Sequence, residues 1–176
     1  MRKIVLIYGL IGGLIIGGMM FITMPMYHSG TLNINNGMWV GYTTMIIGLS
    51  LVFFGVKKYR DTELGGAISF ARALGTGMLI SLVAGILYCL SWEICLQTVA
   101  GNFMQDYIDH QIAGAQASGA TTEAIQALQQ EMNSMAELYK NPFLRFGMTL
   151  MEILPAGIIV SLITALVLKR KQAPTL

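Results

Sequence analysis

Residues 4–24 read IVLIYGLIGGLIIGGMMFITM, a run without a single formal charge. As an α-helix it is about 31 Å long, which matches a bilayer hydrocarbon core of roughly 30 Å. Arg2 and Lys3 in front of it resemble the basic start of a secretory signal peptide. The length of the run and the missing small-x-small cleavage site argue instead for a retained membrane span. Residues 38–56 form a second charge-free run, bounded by Gly37 and by Lys57, Lys58 and Arg60. A third, 73–98, is interrupted only by Glu93. The fourth, 143–168, holds Arg145, Glu152 and Pro155 and stops at Lys169, Arg170 and Lys171.

Composition agrees with four spans. Of 176 residues, 55% are hydrophobic and 11% charged, whereas soluble domains carry roughly 25% charged residues. Too few polar side chains exist to cover a water-soluble globule. A net charge of +2 offers no basic field for nucleic acid. Cys89 and Cys95 lie six residues apart in one apolar run, on different helical faces, so neither a disulfide framework nor a thiol metal site is expected. The expected fold is all-α: one membrane domain over residues 1–176, a four-helix bundle with an extramembrane helical hairpin between spans three and four.

Arg2, Lys3, Lys57, Lys58, Arg60, Arg72, Lys169, Arg170 and Lys171 all fall on one side of these spans, leaving only Lys140 and Arg145 of the eleven basic residues. The other side receives the uncharged 25–37 connection and a segment bearing Asp106, Asp109, Glu123, Glu131 and Glu137. The positive-inside rule therefore places both termini in the cytoplasm. Trp39 and Trp92 fall near the outer helix ends, where indoles favour the headgroup layer.

Residues 101–141 are too polar for a bilayer and rich in Ala, Gln and Glu. Ile125, Leu128, Met132, Met135 and Tyr139 recur at steps of three or four, with Thr122 as the expected cap. Met104, Ile108 and Ile112 make a weaker stripe upstream. A turn at Ser118, Gly119 and Ala120 predicts two antiparallel helices, about 101–117 and 122–140, packed through these stripes.

Small residues recur every fourth position: Gly9, Gly13 and Gly17; Gly37 and Gly41; Gly77, Ser81 and Gly85; Gly157, Ser161 and Ala165. Such faces let helix backbones approach closely in lipid, within one chain or between chains.

Charges at membrane depth are costly, so Glu93, Arg145 and Glu152 are the candidate buried polar site, together with Pro155 three residues beyond Glu152. Counted by helical rise, Glu93 lies about 31 Å above Arg72, and Glu152 and Arg145 about 25 and 36 Å above Lys169. An interhelical Glu93–Arg145 pair near the outer interface follows. Pro155 removes an amide donor and predicts a kink. Met24, Met26 and His28, with Met19, Met20 and Met38 nearby, form a Cu(I)-type ligand set. Thirteen methionines in the chain dilute that signal, and methionine is also an apolar filler, so no metal is expected. His110 is expected on the water-facing hairpin. HExxH and P-loop motifs are missing from the sequence, and no span contains an aspartate or histidine. A non-enzymatic protein without a cofactor is the expectation.

The segments Gly41-Tyr42-Thr43, Phe54 to Asp61, Gly65 to Phe70, Tyr139-Lys140-Asn141-Pro142 and Glu152-Ile153-Leu154-Pro155-Ala156-Gly157 stand in an order that resembles domain of unknown function 4199. This is a bacterial family of small four-span membrane proteins, and the resemblance covers nearly the whole chain. It implies the bacterial inner membrane and no particular reaction, cofactor or catalytic residue. Within it, Arg60, Asp61, Glu63, Gly65, Gly66 and Arg72 form an interfacial turn that is also a candidate contact site for a cytoplasmic partner. The partners expected are membrane lipids and a second copy or another membrane protein, in a structural or partner-binding role. The alternative is an oligomeric transporter or channel for ions or small solutes using Glu93, Arg145 and Glu152.

Overall fold

The computed structural model describes residues 1–32 and 34–170; Lys171 lies outside them. Six helices follow in order: α1 (Arg2–His28), α2 (Ile34–Glu63), α3 (Phe70–Thr98), α4 (Phe103–Ala117), α5 (Thr122–Tyr139) and α6 (Pro142–Leu168). There is no strand among the described residues. Four of the helices, α1, α2, α3 and α6, are long and apolar enough to cross a membrane. Leu14, Ile46, Ile159, Ile163 and Val167 turn outward on them and are exposed. A belt of this kind is stable against lipid and costly against water.

The helix ends follow local chemistry. Asn141 caps α6, its side-chain oxygen accepting from the amides of Phe143 at 2.9 Å and Leu144 at 3.4 Å, and Pro142 takes the first helical position, where no donor is needed. Ser69 caps α3 by accepting from the Arg72 amide at 3.4 Å. The cap of α5 is Thr121 rather than Thr122: Thr121 keeps an extended backbone and accepts from Ala124, while Thr122 is already helical. The connection expected at 25–37 is shorter than that. Pro25 sits inside α1, which continues to His28, because a single proline near a helix end forfeits only its own donor. At its other end α2 absorbs Lys57 to Glu63 and stops where Gly65 and Gly66 take φ of 64° and 85°.

Three of the four small-residue series are contacts within the chain. A methyl at Gly9 would meet Val83 at 2.6 Å and one at Gly13 would meet Leu87 at 2.8 Å, so α1 lies directly on α3. On the other side of α3, Gly77 and Ser81 face Ser161 and Gly157 of α6, and the Ser81 hydroxyl lies 3.3 Å from both the Gly157 carbonyl and the Ser161 hydroxyl. The second series is different. Nothing lies within 4 Å of a methyl built on Gly41, and Gly37 faces Tyr27. The close glycines of α2 are Gly48, against Gly12 and Ile16 of α1, and Gly55, against Tyr8 and Ile80. Around these contacts Leu49, Val52, Val56, Ile80, Cys89 and Ile153 form the core. Helix α3 packs on α1, α2 and α6, and α4 and α5 pack on each other and, through α5, on α6.

Ile108 and Met132 are buried, as the stripes of α4 and α5 require, whereas Met135 is exposed. Trp39 is 76% exposed, but Trp92 is buried inside the protein rather than turned to the headgroup layer.

Candidate functional site

Three polar arrangements emerge from the candidate residues. In the first, Arg145 grips Glu93 with two bonds, Nε to Oε1 at 2.8 Å and Nη2 to Oε2. Its Nη1 donates to the Tyr139 carbonyl at 2.9 Å, and its guanidinium stands 5.5 Å from the centre of the Tyr139 ring. Trp92 Nε1 donates to the Tyr139 hydroxyl at 2.6 Å. Burial pushes the Tyr139 phenol up to about 12, so it stays neutral at physiological pH. The cluster joins α3, α5 and α6, and its two formal charges cancel. Bidentate geometry of this kind fixes orientation as well as charge.

Glu152 takes no part in that cluster. Tyr88 donates to its Oε2 at 3.4 Å. Both residues border a cavity of about 710 Å³ whose other walls come from α1, α2 and α4. Met19, Met20, Met24, Met38 and Met45 supply its apolar surface, and Asp106, Tyr107 and His110 of α4 border it too. Met19, Met20, Met24 and Met38 of the Cu(I)-type set, though not Met26, therefore line a volume large enough for an organic molecule. The His28 side chain lies outside the described residues. No cluster of three or more His, Cys, Asp or Glu side chains able to hold a metal exists among the described residues. Helix α6 runs uninterrupted through Pro155, which is exposed.

The third arrangement is the glycine turn at the basic end. Arg60 donates to Asp61 at 2.7 Å and to the Leu168 carbonyl at 3.5 Å, and the Met1 amino group pairs with Glu63. The Gly66 amide returns to the Arg60 carbonyl at 2.9 Å. Ile68 and Arg170 exchange backbone bonds of 3.0 and 2.9 Å, tying the turn to the chain after α6. Arg72 is exposed at the start of α3. Arg60, Asp61 and Glu63 are thus engaged internally.

Sequence reasoning passed over Tyr88, and it took Tyr139 only as a stripe residue of the hairpin and part of the Tyr139 to Pro142 segment. A tyrosine in an apolar run carries no motif, yet helical rise held a usable signal. Tyr88 lies ten residues from the end of α3 and Glu152 ten residues into α6, each about 15 Å along its helix.

The fold and these sites define a protein with four helices long and apolar enough to cross a membrane, a part-buried ion pair between two of them, and an exposed carboxylate, Glu152, on the wall of a half-open cavity. Residues 7–170 match the family model described as "Protein of unknown function (DUF4199)", and the chain belongs to that family. No curated protein and no solved structure matches the chain.

Proposed function

We propose that this is a non-enzymatic multi-pass protein of the bacterial inner membrane that binds a small lipophilic molecule in the cavity beside Glu152. In this reading α1, α2, α3 and α6 form a four-helix bundle and α4–α5 an outer hairpin. Both termini are cytoplasmic, in keeping with the basic residues gathered at one end. The cavity then opens in the outer half of the membrane, with α4 across its mouth.

The cavity carries the proposal. At about 710 Å³ it falls within the range of small-molecule sites, and it is lined by five of the six helices. Methionine-rich walls adapt to varied apolar shapes. The Glu93–Arg145 pair is structural here, since each charge satisfies the other. Arg60, Asp61 and Glu63 of the glycine turn are likewise engaged within the chain, which favours the cavity over that turn as the binding surface.

The test uses the full chain in phosphatidylcholine nanodiscs and the neutral fluorophore N-phenyl-1-naphthylamine. Saturable binding above that of empty discs is expected, and Gly41→Phe should abolish it. Gly41 borders the cavity, and nothing lies within 4 Å of a Cβ built there, so a side chain can start from this point of the wall. Binding no greater than that of lipid alone would refute the proposal.

A further inference from the structure

We infer that the cavity takes an organic cation, a lipophilic amine or onium ion whose charge rests on Glu152. This inference rests on the binding role proposed above and specifies the class of ligand.

Charge complementarity is the first ground. Among the described lining residues Glu152 is the carboxylate contributed by the long apolar helices, Asp106 and His110 stand together on α4, and there is neither lysine nor arginine. The nearby guanidinium of Arg145 is held by Glu93. An anionic headgroup would meet repulsion in this cavity, and a cation would not.

Depth is the second. Glu152 lies about 15 Å along α6 from its start, well inside the apolar region, where a carboxylate is costly unless compensated. Its bond from Tyr88 is long, at 3.4 Å. A cation seated beside it would supply the compensation that one weak hydroxyl contact does not. Its entry to that depth requires an apolar body around the charge.

The walls narrow the class further. Tyr27, Tyr42, Tyr88, Phe103 and Tyr107 border the same space, and aromatic faces attract organic cations. Methionine thioethers add polarizable apolar surface. Among the described residues no group of three or more His, Cys, Asp or Glu side chains stands ready to hold a metal ion, so an organic cation suits this lining better than a hard metal. The fitting ligand is therefore a singly charged amphipathic cation of ordinary small-molecule size.

Tetraphenylphosphonium and tetraphenylborate share a shape and differ in sign, so they form the matched probes. With the full chain in phosphatidylcholine nanodiscs, equilibrium dialysis against empty discs should show saturable binding of the phosphonium, with the borate weaker by about tenfold or more. Glu152→Gln preserves side-chain shape and should lower phosphonium affinity by a similar factor, about tenfold. The comparison of the two ions needs only the unaltered protein, so it remains decisive even if that variant does not fold. Equal binding of both ions, or phosphonium binding untouched by Glu152→Gln, would overturn the cation assignment and leave the cavity as a binding site. No saturable binding of any of the three probes would overturn both.

Discussion

Trp92, near the end of α3, donates its indole N–H to the hydroxyl of Tyr139, the last residue of α5, at 2.6 Å. The bond reaches across forty-seven residues and fastens the α4–α5 segment to the membrane helices at its return point. Tyr139→Phe keeps the ring but leaves the buried indole donor without its partner. A loss of about 1–3 kcal/mol is expected, because an unmade buried bond costs more than a made one contributes. Adding Trp92→Phe removes the orphaned donor and should restore part of the loss. Thermal unfolding in detergent measures both, and equal stability of Tyr139→Phe and the unaltered protein would show that the bond contributes nothing.

The Glu93–Arg145 pair should behave as a coupled unit. Their side chains retain only 18% and 16% exposure. Glu93→Gln or Arg145→Gln alone should therefore cost more than the ~1 kcal/mol of a surface pair and up to the ~3–5 kcal/mol of a broken buried one. The double variant should lose less than the sum of the two. Strict additivity in a double-mutant cycle would deny direct coupling.

Close packing of α1 on α2 gives a prediction at a single glycine. A methyl at Gly12 would stand 2.8 Å from the Gly48 carbonyl, a backbone atom that cannot swing aside. Gly12→Val should destabilise by about 1–3 kcal/mol through overpacking. Gly18, also on α1, has nothing within 4 Å, and Gly18→Ala should be neutral or stabilise by up to about 1 kcal/mol through reduced backbone freedom. Unfolding in detergent that ranks the two variants the other way would contradict the helix arrangement.

Sequence conveyed the spans well because hydropathy and length depend on lipid, which acts on every residue of a helix alike. The Glu93–Arg145 contact was legible for a related reason: two opposite charges at nearby depths on packed helices have few other solutions. The contacts of α2 were not legible. Gly48 and Gly55 lie seven residues apart, so a search for small residues every fourth position settled on Gly37 and Gly41, and Gly41 faces open space. Trp92 was misplaced because an indole near a helix end suits the headgroup layer and a buried tyrosine partner equally well, and only the path of α5 decides between them. The cavity was invisible for a similar reason. Its methionines and tyrosines come from separate helices, and pattern along one helix cannot reveal a gap between several.

The proposed membrane orientation rests on the basic residues gathered at one end and is tested independently of any ligand. Reporter fusions at Gly119 should be active outside the cytoplasm, and a fusion after residue 176 should be active within it. The reverse pattern would invert the protein and place the cavity in the inner leaflet.

The most direct measurement of the binding role is photocrosslinking in native membranes from a benzophenone side chain introduced at Gly41, which borders the cavity with nothing within 4 Å of its Cβ position. The expected result is a discrete low-mass adduct on the protein, identified by mass spectrometry and suppressed by excess tetraphenylphosphonium. Adducts to phospholipid alone, unchanged by the competing cation, would contradict the cavity's role as a binding site.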